Sequence, residues 1–250
     1  MTDTDPSVSI RLDHVSKAFN GRAVLDDVSL DVRTATAFCL LGRSGTGKSV
    51  TLRHIVGLVA PDSGHVLVEG QDVTALRPKD LASVRKRMGF LFQNAALFDS
   101  LSVRENVAFP LRRHTDLPED EIESRVRARL ASVGLERDID KMPSELSGGM
   151  RKRVGLARAM ALDPGILLVD EPGAGLDPIT TREIDELLLE QKRAGTTLVV
   201  VTHNLPSARL VADEMALLHE GRVVAQGSAA DLDASEHPIV RAFMQSEGGG

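Results

Sequence analysis

Three short stretches of this 250-residue chain hold residue types whose spacing suits chemistry on a phosphoanhydride. The first is GRSGTGKS, made of Gly42, Arg43, Ser44, Gly45, Thr46, Gly47, Lys48 and Ser49. It matches the phosphate-binding pattern G-x-x-x-x-G-K-S, with an apolar strand expected before it and a helix after it. Glycines there let successive backbone N–H groups turn inward around phosphates, and the helix N-terminus adds the positive end of its dipole. Lys48 would reach the terminal phosphates, and Ser49 offers a hydroxyl to Mg2+. A nucleoside triphosphate is the expected ligand.

The second stretch is ILLVDE, an apolar strand ending in Asp170 and Glu171. Asp170 is placed to hold magnesium, and Glu171 to orient or deprotonate an attacking water. A second carboxylate directly after the metal ligand points to hydrolysis more than to binding alone.

The third is LSGGM, in which Ser147, Gly148 and Gly149 open a basic helical run. That makes a second anion-binding helix N-terminus in one chain. One triphosphate cannot easily use both, so Ser147, Gly148 and Gly149 are expected to act in trans, on the ATP of a second copy. The plain alternative for Ser147 is an N-cap. Asp177, in the turn GAGLD, is expected to bridge the two sites in trans, to cap the helix that begins near Pro178, or both.

Three further residues complete the candidate site. Phe19 precedes the Asn20-Gly21 turn and could stack on a base, in a chain with seven Phe and no Trp or Tyr; the alternative is hairpin packing. Gln93 follows the strand MGFLF, at the carboxyl end where ligands of open α/β sheets gather, and could touch magnesium or water; the alternative is an ordinary strand-ending amide. His203 ends the strand of residues 197–201, in position for a γ-phosphate sensor, whereas the other six His are unassigned.

These residues need an α/β frame. Alternating apolar positions over residues 8–32, interrupted by Asn20-Gly21, predict an antiparallel hairpin. Short apolar strands alternate with helices through the rest, except over residues 95–162, where only helical periodicity is found, as at Ile122, Val126, Leu130 and Val133. That region reads as a helical subdomain inserted into the α/β core and available to a partner. MALLHEGRVVAQGS predicts a closing hairpin with Gly221 in its turn, followed by a polar helix and an EGGG tail.

Composition narrows the class. A formal charge of -6 argues against a primary nucleic-acid binder. The single cysteine, Cys39, excludes an intramolecular disulfide and a multi-cysteine zinc site. No apolar run approaches the roughly 18 to 20 residues that span a bilayer. The polar, acidic first nine residues lack the features of a secretion signal. A role at a membrane would therefore require a partner to hold the chain there.

Taken together, Phe19, GRSGTGKS, Gln93, LSGGM, ILLVDE, GLD and His203 resemble the ATPase subunit of ABC transporters over essentially the whole chain. LSGG separates that family from other phosphate-binding-loop proteins. The resemblance implies a P-loop NTPase, RecA-like α/β core over residues 8–94 and 163–232, with an N-terminal antiparallel β subdomain. It also implies the inserted α-helical subdomain at about 95–162 and a short C-terminal helix and tail over 233–250. ATP and Mg2+ are the implied cofactors, and a homodimer on two membrane-spanning permease subunits is the implied assembly.

A narrower likeness, to the ATPase of MCE-type phospholipid transporters, lies in LFQNAALFDSLSVRENVAFPLRRHTDLP, PSELSGGMRKRVGLARAMALDP and DEPGAGLDPIT. It implies an MCE-domain partner, a place on the cytoplasmic face of the bacterial inner membrane, and a groove for the permease near Phe98. A STAS-domain regulatory subunit belongs to some such systems and is a further candidate partner, which the expected shortening of the chain after Met244 leaves open. Phe19 stands where Tyr is more common, which keeps stacking and loses a hydroxyl. Other cargo, an amino acid or a drug, is the competing reading. Soluble ABC proteins of ribosomes or DNA usually carry paired units or coiled coils, and a P-loop kinase would leave LSGGM unexplained.

Overall fold

The computed structural model describes residues 7–246, so the first six residues and the EGGG tail lie outside it. Strands β1 (Val8–Phe19) and β2 (Arg22–Arg33) form the expected antiparallel hairpin. β3 (Ala37–Leu41) runs into the loop that ends at helix α1 (Lys48–Ile55). β4 (Ser63–Val68) and the two-residue β5 (Gln71–Asp72) follow, then α2 (Pro78–Arg85) and β6 (Met88–Leu91). β6 stops at Leu91, one residue short of MGFLF, so Gln93 sits in the following turn rather than at the strand end.

The next stretch contains α3 (Val103–His114), α4 (Glu119–Ser132), two 3₁₀ turns and α5 (Gly148–Ala159), and no strand. A reciprocal Ser102–Glu105 capping box starts α3. The four apolar positions that predicted α4 are all buried. The chain then alternates: β7 (Ile166–Asp170), α6 (Pro178–Arg193), β8 (Thr197–Thr202) and α7 (Leu205–Val211). The closing hairpin is β9 (Glu214–His219) and β10 (Arg222–Gly227). Two short helices follow it, α8 (Ala229–Asp233) and α9 (Pro238–Gln245), where one was expected. α9 is not simply polar, because Val240 and Met244 are buried in the core.

The strands form two sheets. β2-β1-β4-β5 is antiparallel throughout. The larger sheet has the order β10-β9-β3-β8-β7-β6, parallel except for β10. Its central strands are buried on both faces, which is why they read as continuous apolar runs. Successive residues go to opposite sides with period two. Phe38, Leu40, Ile166, Leu168, Val199 and Val201 pack with α1 and the antiparallel sheet. Cys39, Leu41, Leu167, Val169, Leu198 and Val200 pack with the helices on the other side. With both faces covered, the functional surface left to this sheet is its edge of carboxyl strand ends.

Candidate nucleotide-binding site

Residues from widely separated parts of the chain meet at that edge. β3 delivers the loop of residues 42–49, β7 delivers Asp170 and Glu171, and β8 delivers His203 one residue past its end. Parallel pairing of β3 with β8 and of β8 with β7 puts these three strand ends side by side.

The loop is shaped by close backbone approach. Gly47 has φ 109°, and a Cβ there would lie 2.7 Å from the carbonyl oxygen of Val24, so only glycine fits the start of α1. Arg43, Ser44 and Gly45 remain exposed at the rim. Lys48 is buried, and its Nζ donates to the carbonyls of Gly42 at 2.8 Å and Arg43 at 3.1 Å. The same ammonium lies 3.3 Å from Oε1 of Glu171. A cation and a carboxylate thus face one another beside the loop, where a terminal phosphate and its attacking water would sit.

Ser49 Oγ donates to Oδ1 of Asp170 at 2.8 Å. Burial pushes the Asp170 carboxyl up from the usual range, and the Ser49 hydrogen bond works against that shift. A buried carboxylate beside a hydroxyl is a hard-oxygen pair suited to Mg2+, which takes few protein ligands and completes its shell with phosphates and water. Among the described residues no cluster of three or more His, Cys, Asp or Glu side chains forms a metal site of its own. Ser49 and Asp170 therefore fit magnesium held jointly with a phosphate.

Glu171 is buried and has φ 45°, a left-handed conformation uncommon outside glycine. Its N–H donates to Val201 O at 2.9 Å, and its carbonyl accepts from Lys152 Nζ at 2.8 Å. Its side chain meets His203, with Nδ1 2.9 Å from Oε2 and the His203 N–H donating to the same oxygen at 3.4 Å. Lys152 is buried as well, and burial pulls its ammonium down to about 8, against the attraction of Asp170 and Glu171.

Phe19 ends β1 with 43% of its surface exposed, and Lys17 Nζ lies 5.4 Å from the ring centroid. An exposed ring with a cation beside it can stack on a base. Gln93 is exposed, with no side-chain hydrogen bond among the described residues.

Ser147 caps α5 by accepting from Met150 N–H at 3.2 Å. Asp177 caps α6, accepting from the N–H groups of Ile179 and Thr180 and from the Thr180 hydroxyl at 2.6 Å. The simple capping alternatives therefore hold for both residues, and both also remain exposed to a partner. The two helix starts are packed together, because a Cβ on Gly149 would lie 2.4 Å from Thr180 Cγ2.

Sequence reasoning missed Lys152. It reads as one member of the basic run Arg151-Lys152-Arg153, but it lies three residues after Gly149 and four before Leu156, both buried. Helical phase thus placed it on the inward face.

The comparisons agree with this geometry. A family model described as ABC transporter matches residues 25–174. The "Probable ribonucleotide transport ATP-binding protein mkl" of Mycobacterium tuberculosis (strain ATCC 25618 / H37Rv) is 43% identical over 238 residues, 95% of this chain and 66% of its own length. The chain thus spans about two thirds of that relative. The "Intermembrane phospholipid transport system ATP-binding protein MlaF" of Escherichia coli (strain K12) is 44% identical over 231 residues, covering 92% of this chain and 86% of MlaF. Among solved structures, the dimeric post-hydrolysis state of the ATP-binding cassette MJ0796 bound to ADP and Pi superposes with a TM-score of 0.82 at 32% identity. That match covers 88% of this chain and 98% of the cassette. With the family model covering more than half of the chain and the strand ends carrying a glycine-rich loop, a buried aspartate and a glutamate, the chain belongs to the ABC transporter family as an ATP-binding ATPase cassette.

Proposed function

We propose that this cassette hydrolyses ATP to drive phospholipid movement by an MCE-type complex of the bacterial inner membrane. One observation carries the hydrolytic part: the Glu171 carboxylate lies between Lys48 at 3.3 Å and His203 at 2.9 Å, directly after a buried Asp170 bonded to Ser49. Loop N–H groups and Lys48 bind the β- and γ-phosphates, and Phe19 stacks on the base. Ser49 and Asp170 hold Mg2+, with Gln93 reaching it from the turn after β6; when bound, the ion offsets phosphate charge. Glu171 orients the attacking water and accepts its proton, while His203 holds that carboxylate and senses the γ-phosphate.

Two copies complete the site. Ser147, Gly148 and Gly149 at the start of α5 bind the partner's ATP, and Asp177 lies at the seam. Ile179, two residues after Asp177, is 76% exposed and would lie at that seam. The dimeric MJ0796 cassette has the same fold.

A groove of about 540 Å³ between β6, α2, α3 and the end of α5 is assigned to a segment of the permease. Four of the chain's seven phenylalanines line it: Phe90, Phe92, Phe98 and Phe109. Phe98 and Phe109 pack at 4.8 Å and are 42% and 44% exposed. Buried Asn106 fixes Phe98, accepting from its N–H and donating to its carbonyl. Among the described residues no helix is long and apolar enough to cross a membrane, so two permease subunits are the proposed anchor on the cytoplasmic face.

The phospholipid assignment is supported by the MlaF likeness, whereas the name of mkl favours ribonucleotide cargo. Purification from detergent-solubilised membranes decides between them. Two copies of this chain with two permeases, an MCE-domain protein and bound phospholipid are expected, and a STAS-domain subunit would add a regulator. A complex with a substrate-binding protein for nucleotides or amino acids, free of phospholipid, overturns the lipid reading.

A further inference from the structure

α5 touches both halves of the proposed chemistry. Ser147 caps it, Gly148 and Gly149 begin its first turn, and Lys152 stands about 4.5 Å further along its axis beyond Gly149. Lys152 is 4% exposed; its ammonium has no ion-pair partner among the described residues and donates at 2.8 Å to the carbonyl of Glu171. Burying a cation for one backbone hydrogen bond costs free energy that an apolar side chain would not incur.

What that bond holds is an unusual backbone. Glu171 has φ 45°, and its peptide groups are gripped from two sides, by Val201 O on β8 and by Lys152 on α5. A non-glycine residue in this region persists only where its surroundings over-determine it. Release of the carbonyl would let Glu171 relax toward ordinary φ and swing its carboxylate away from Lys48 and His203.

We propose that Lys152 is a positioning residue that ties the Glu171 carboxylate of one site to the seating of the helix that serves the other. Movement of α5, when its first turn engages the second copy's nucleotide, is transmitted through Lys152 Nζ to the Glu171 backbone. The cis glutamate is thereby set for hydrolysis when the trans contact is made. This rests on the proposed roles of Glu171 in cis and of Ser147, Gly148 and Gly149 in trans.

The test compares full-length Lys152→Met, Lys152→Arg, Glu171→Gln and the Lys152→Met/Glu171→Gln double variant. ATP binding and steady-state hydrolysis are measured for each. Lys152→Met is expected to lower kcat roughly 10- to 100-fold, the cost of misplacing a reacting group by about 1 Å, with ATP affinity within about threefold. Lys152→Arg, which keeps a charged donor, is expected to recover most of that loss. The double variant is expected to be no slower than Glu171→Gln alone. Wild-type kcat in Lys152→Met, or parallel loss of ATP binding and kcat, overturns the proposal. Should Lys152→Met fail to fold, Lys152→Gln takes its place, and kcat within twofold of wild type overturns it equally. If Glu171→Gln itself hydrolyses at the wild-type rate, the catalytic reading of Glu171 has failed, and the proposal with it. A slow Glu171→Gln beside a normal Lys152→Met rejects the positioning role alone.

Discussion

The imidazole Nδ1 of His203 lies 2.9 Å from Oε2 of Glu171, although the two residues are 32 positions apart, each one residue past the end of a different strand. With Nδ1 protonated, the ring donates to the carboxylate and presents Nε2 outward. Half of the imidazole is exposed, whereas the glutamate beneath it is buried. A solvent-facing group thus rests on a buried one, which suits a sensor placed over a base.

Replacing Glu171 with Gln keeps the side-chain shape and an acceptor for His203 but removes the proton acceptor. Turnover is expected to fall roughly 10²- to 10⁴-fold. ATP affinity should change only a few-fold, and an ATP-bound dimer should accumulate. Phosphate release and size-exclusion chromatography with ATP measure both effects, and wild-type-like turnover contradicts the role assigned to Glu171.

Phe19→Ala removes the exposed ring at the end of β1. Loss of one base–aromatic stack is worth about 1–3 kcal/mol, so ATP affinity should weaken by roughly 5- to 150-fold. The melting temperature should scarcely move, because the ring is not a core residue. Fluorescent-nucleotide titration of wild type, Phe19→Ala and Phe19→Tyr checks this, with Tyr retaining the stack.

Gly149→Ala drives a Cβ to 2.4 Å from Thr180 Cγ2, forcing apart the starts of α5 and α6. Overpacking of this kind costs about 1–3 kcal/mol, and ATP-driven dimerisation should suffer with it. Thr180→Ser deletes the offending methyl and keeps the hydroxyl that donates to Asp177. The double variant should therefore recover stability and activity relative to Gly149→Ala alone, as read by thermal melts and hydrolysis rates.

His54, buried on α1, bonds Val59 O through Nδ1 at 2.7 Å, while its Nε2 has no partner. Burial is the main cause holding its pKa below the ordinary 6.5. As pH falls through 6.5 the unfolded chain binds a proton there that the folded chain refuses, so stability declines toward acid. The decline continues until pH reaches the lower folded-state pKa, at no more than about 1.4 kcal/mol per pH unit. Denaturant melts between about pH 7 and about pH 5 should show a shallower slope for His54→Leu than for the parent.

The phosphate loop was readable because its chemistry is local. Eight consecutive residues supply the N–H groups, the ammonium and the hydroxyl, and the flanking strand and helix leave their own signals. ILLVD and residues 197–201 were readable as buried strands for a related reason: both faces are covered, so nearly every position is apolar. Lys152 was hidden because its meaning depends on Glu171, 19 residues later, and neither residue type signals the other. The left-handed backbone of Glu171 was equally silent, since the partners of its peptide groups, Val201 and Lys152, lie far from it along the chain. At Gln93 the sequence read one residue too much strand, because Phe92 is as apolar as the strand before it. For Ser147 and Asp177 the capping bonds are now in place, and their action on a second copy rests on the dimer proposed above.

β3, which delivers the phosphate loop, lies in the sheet between β8 and β9. Both neighbours come from the last quarter of the sequence, so the strand that carries the phosphate loop has neither sheet neighbour until late in synthesis. Synthesis from the end of β3 to the end of β9 takes roughly ten to thirty-five seconds at about 5–20 residues per second. Throughout that interval the loop's residues exist without the sheet that aims them. Nucleotide capture by the nascent cassette is therefore expected only after β8 and β9 have been made and can pair with β3.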